Sequence, residues 1–75
     1  MINKTQFQIN VEAELAARQY EQLQELENKW VDALLEGNKE LTTALRTHAD
    51  KTRKEFEATN ARHWELVQEL NNQAQ

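Results

Sequence analysis

Seventy-five residues with nine Lys or Arg, thirteen Asp or Glu, no cysteine, no proline and a single glycine make a short chain of net charge −4. That length allows at most one domain with a small core, disulfides are excluded, and a structural zinc would have to rely on two histidines and carboxylates without a thiolate. The negative balance disfavours binding to nucleic acid or anionic lipid through net charge and favours partners with basic surfaces.

The chain opens on Met1-Ile2-Asn3-Lys4-Thr5-Gln6, which has one Lys and no apolar segment, so no secretory leader is expected and the protein is read as cytoplasmic. Gln6-Phe7-Gln8-Ile9-Asn10-Val11 then alternates polar with apolar residues, the pattern of a half-buried strand. Residues 1–9 are accordingly expected as an extended or flexible arm, with Asn10 capping the helix that follows and Phe7 and Ile9 free to meet a partner. Thr5-x-x-Gln8 gives a rival signal, since it fits a capping box.

A first helix is expected over residues 10–36. At about 100° per residue, Ala16, Tyr20, Leu23, Leu26, Trp30 and Leu34 share a stripe interrupted by Gln19 and Glu27. Opposite lies an acidic ridge that includes Glu21, Glu25, Asp32 and Glu36, where Glu14–Arg18 and Glu25–Lys29 have the spacing of helix ion pairs. Glu36-Gly37-Asn38-Lys39 is the strong punctuation, a turn at 36–39 in which Gly suits the left-handed position after a helix and Asn38 caps the next.

The second helix is expected over residues 39–71, with Leu41, Leu45, Ala49, Thr52, Phe56, Thr59, His63, Val67 and Leu70 on one face. Thr52 and Thr59 take places where an ideal seam has aliphatic side chains. The outer face pairs Arg46–Asp50, Asp50–Lys54, Lys51–Glu55 and Arg53–Glu57 by spacing, a self-neutralised surface rather than a nucleic-acid face. Residues 72–75 are expected to fray.

Chemistry finds no foothold in these residues. Neither His48 nor His63 has a carboxylate or another histidine three or four positions away, and there is no Ser or Cys to act as nucleophile. One glycine cannot build a phosphate-cradling loop. No catalytic residue, metal site or cofactor is expected, and the histidines are read as packing residues.

Trp64 is the exception to an orderly pattern. It falls away from the Leu45–Leu70 stripe, on the side of Arg53 and Glu57, and with Asn60, Val67 and Asn71 it forms a second small patch. Packing against the N-terminal arm or a second subunit and anchoring a foreign partner are both open to it, tryptophan being enriched at interface hot spots.

The expectation is an all-α antiparallel two-helix hairpin, coiled-coil-like, that dimerises into a four-helix bundle. A long parallel coiled-coil dimer running through Gly37 is the rival. In outline, though in no motif, this resembles small plasmid and phage regulators built as helical-hairpin dimers. The function read from these surfaces is a non-enzymatic protein-binding module, an adaptor or inhibitor. A nucleic-acid-binding hairpin dimer and a structural assembly subunit are the alternatives.

Overall fold

The computed structural model describes residues 3–73. Two helices, α1 (Lys4–Glu36) and α2 (Lys39–Gln73), pack against each other as a hairpin. The chain therefore turns back at Gly37, and the single long helix of the rival architecture is not formed.

The turn follows from two residues. Gly37 has φ 75°, the left-handed region that glycine enters without a Cβ clash. Its N–H donates to the Leu34 carbonyl, and the Asn38 N–H donates to that of Ala33, which satisfies two carbonyls at the end of α1. Asn38 then opens α2, its Oδ1 accepting from the Leu41 N–H at 3.1 Å.

The two helices meet along a seam of heptad spacing. In α1 the residues withdrawn from solvent are Thr5, Ile9, Glu12, Ala16, Gln19, Leu23, Leu26, Trp30 and Ala33, with steps that alternate between four and three. In α2 they are Thr42, Leu45, Ala49, Thr52, Phe56, Thr59, His63, Leu66 and Leu70, again alternating, with Val67 beside them. This is the repeat of a coiled coil, in which a period of 3.5 keeps one line of side chains facing the neighbouring helix. Leu23, Leu26 and Ala49 form the centre of the core, with Leu45 packed on them.

That seam corrects the expected stripes. A stripe drawn at 100° per residue drifts from a heptad line by about 20° every seven residues, and over the length of α1 the drift moves residues off the contact. Tyr20, Leu34 and Leu41, expected in the core, are exposed at its margins. Ile9 and Ala33 take buried positions instead.

The N-terminal arm is also corrected. Residues 4–9 are helical, because Asn3 caps α1 by accepting from the N–H groups of Thr5 at 2.9 Å and Gln6 at 3.2 Å. Asn10, expected as the cap, sits inside α1 and accepts from the Gln6 side chain at 3.1 Å. The period-two alternation misleads here because Phe7 and Val11 stay on the outer surface while Ile9 alone enters the seam. At the other end α2 continues to Gln73, so residues 72 and 73 of the expected frayed tail are helical. Residues 1–2 of the arm and 74–75 of the tail lie outside the described residues.

Candidate interaction surfaces

The seam itself is polar in its outer half. The antiparallel register sets Glu12 level with His63 and Gln19 level with Phe56, so charged and amide groups occupy places that elsewhere hold leucine. Arg62 answers part of this, its Nε donating to the Glu12 carboxylate at 3.4 Å and its Nη2 to the Thr59 hydroxyl at 3.3 Å. Glu12 Oε2, Gln19 Oε1 and Trp30 Nε1 are buried without a hydrogen-bond partner among the described residues. Arg62 and Glu12 escaped the sequence reading, and the heptad line through Ile9, Glu12 and Ala16 is the signal that would have found them.

Trp64 follows His63 in sequence but leaves the seam. Its side chain is 57% exposed, and its ring meets the His63 ring edge-on with centroids 5.3 Å apart. Asn60 and Asn71 are exposed on the same side of α2, and Val67 is half-buried between that side and the seam. The patch expected from spacing is thus present as a surface, with an aromatic body at its centre and amides around it.

The acidic ridge is likewise on the surface. Glu14 is held by Arg18 at 2.7 Å, whereas Glu21, Glu25, Asp32 and Glu36 are exposed and make no ion pair among the described residues. Lys29 makes no ion pair with Glu25 among the described residues, although the spacing allows one. Phe7 is exposed at 59% and lines an open groove of about 410 Å³ with Val11, Arg62 and Leu66. Ile9, expected beside it as a partner-binding residue, is buried in the seam and offers no surface.

The charges of α2 pair differently from the spacing rule. Arg53 reaches across to Glu27 at 2.8 Å and back to Asp50 at 3.9 Å. The expected pairs Arg46–Asp50, Asp50–Lys54, Lys51–Glu55 and Arg53–Glu57 are not formed among the described residues. An exposed i,i+4 pair is worth little and gives way to a neighbour on the other helix.

The histidines lie apart, His63 half-buried in the seam and His48 exposed. Among the described residues no three His, Asp or Glu side chains stand where they could hold a metal ion. No helix among them is long and apolar enough to cross a membrane. Comparison with protein-family models, with curated proteins and with solved structures gives no match for this chain.

Proposed function

We propose that this chain is a small non-enzymatic protein-binding module, of the adaptor or inhibitor kind, that captures a protein partner on the outer face of α2. The observation that carries the reading is Trp64, which stands 57% exposed within the long helix α2 with the exposed amides Asn60 and Asn71 on the same side. A tryptophan held in this way supplies a large apolar area at little cost in side-chain freedom and is the residue type most enriched at interface hot spots. The carboxylates of Glu21, Glu25, Asp32 and Glu36, unpaired among the described residues, would steer the approach of a partner with a basic surface and raise its rate of capture, a gain that high salt removes.

A photoreactive phenylalanine analogue in place of Trp64 tests this in the native cell. A single adduct of defined mass, containing another protein, is expected. Adducts that vanish on nuclease treatment would move the protein to the nucleic-acid readings, and adducts with its own chain alone would make Trp64 a subunit contact.

A further inference from the structure

α1 carries a second heptad line beside the one that meets α2. It starts at Asn10, passes through Ala13, Ala17, Tyr20 and Gln24, and ends at Val31 and Leu34, again in steps of three and four. Glu27 is the only charged residue on it, and that charge is already answered by Arg53 at 2.8 Å. The remaining charges of α1 apart from Glu12 lie on its other outer positions. A solvent-facing helix surface has no physical reason to exclude charge in this way, whereas a helix with two partners carries one apolar line toward each.

The surface area points the same way. The hairpin exposes 6027 Å² for a mass of 8.8 kDa. A folded monomer of that mass exposes about 4,800 Å², so the excess is about 1,200 Å² per chain, more than the roughly 800 Å² each partner contributes to a standard interface. The molecule is a single layer of two helices, 56 × 17 × 12 Å along its principal axes, and lacks the second layer that encloses a core.

We infer that a second copy of this chain supplies that layer, with the α1 line of one copy packed antiparallel on the α1 line of the other, Tyr20 level with Gln24 across a twofold axis. In this register the small Ala13 and Ala17 face Val31 and Glu27 of the second copy, and Asn10 faces Leu34, so narrow and wide ends complement one another. A parallel arrangement would instead stack Ala on Ala and bring the two Glu27 carboxylates together. The antiparallel one also carries Phe7 toward Leu35 of the second copy, a leucine left 81% exposed in the hairpin.

This interface does not rest on the Trp64 reading, and the experiment uses the pure chain alone, so either can fail without the other. Sedimentation equilibrium at about 50 µM, well above a low-micromolar dissociation constant, is run on the wild type, on Ala17→Glu and on the matched control Ala61→Glu on the far side of α2. Helicity by circular dichroism confirms that each variant is folded. The expected result is a dimer for the wild type and the control, and for Ala17→Glu a dissociation constant raised about a hundredfold or more, because each new carboxylate is buried against Glu27, whose Arg53 partner at 2.8 Å is already engaged. A monomeric wild type, or an Ala17→Glu dimer as tight as the wild type, overturns the inference.

The register has its own readout. Ala13→Cys/Val31→Cys places thiols about 27 Å apart on one helix, too far to join within a chain, and should give a reducible covalent dimer on oxidation. Ala17→Cys alone should not. The reverse pattern contradicts the antiparallel pairing.

Discussion

Arg53 donates from Nη2 to the Glu27 carboxylate at 2.8 Å, and this pair joins α2 to α1 on the same margin where Tyr20 and Phe56 pack with ring centroids 5.7 Å apart. Both charged side chains are about half exposed, at 48% and 47%, so solvent screens them. Replacing Glu27 by Gln should lower stability by less than about 1 kcal/mol in urea denaturation. The deficit should shrink as salt is raised toward about 1 M, where the Debye length falls to about 3 Å and approaches the separation of the pair. A loss that is insensitive to salt would show that packing, rather than charge, is what the substitution disturbs.

Leu26 and Leu41 separate the heptad seam from the stripe drawn on an ideal helix. Leu26 is buried in the central cluster and Leu41 is exposed at the margin. Leu26→Ala should cost roughly 2–5 kcal/mol, as truncation of a buried leucine does. Leu41→Ala should stay within about 1 kcal/mol. Equal losses in parallel denaturation curves would restore Leu41 to the core.

Much of the fold was legible in the sequence because its strongest signals are local. Gly37 and Asn38 mark the turn, and Leu23, Leu26, Leu45 and Ala49 mark the core, whichever helical period is assumed. What the sequence reading misplaced depends on interactions between helices. The choice between a period of 3.6 and one of 3.5 is settled by whether a partner helix runs alongside, and it decides that Ala33 rather than Leu34 enters the seam and that Tyr20 leaves it while its neighbour Gln19, already on the expected stripe, stays. Thr5 and Ile9 read as an arm because their own neighbours in sequence give no helical stripe. They fold against the end of α2, where the Gln73 side chain donates to the Thr5 hydroxyl at 3.4 Å. Trp64 was legible because an aromatic residue off the apolar line is conspicuous in any helical projection.

Thr52 and Thr59 occupy equivalent seam positions and are both buried, yet their hydroxyls differ. Thr59 donates to the Glu55 carbonyl at 3.0 Å and accepts from Arg62, while Thr52 has no comparable bond among the described residues. Thr52→Val should therefore raise stability by about 0.5–1 kcal/mol, since a methyl group replaces a hydroxyl that gains little from burial. Thr59→Val should lower it by about 1 kcal/mol through the lost hydrogen bonds. Differential scanning calorimetry of the two variants reads both signs, and a stabilised Thr59→Val would show that its hydroxyl contributes nothing.

Asn3 decides whether the first residues belong to α1. Its side chain satisfies two N–H groups of the opening turn, and Asn3→Ala should cost about 1 kcal/mol, typical of losing an N-cap. Chemical shifts of Gln6 through Asn10 should be helical in the wild type and move toward coil values in the variant. Coil shifts in the wild type would return this segment to an extended arm.

The most direct test of the proposed function is the affinity of Trp64→Ala for the protein found attached at position 64, measured beside the stability of the free variant. The complex should weaken by at least about 30-fold, the equivalent of a 2 kcal/mol hot spot. The free protein should change by no more than about 0.5 kcal/mol, as exposed positions do. An unchanged affinity, or a variant that unfolds on its own, would contradict the account and leave Trp64 with a structural role.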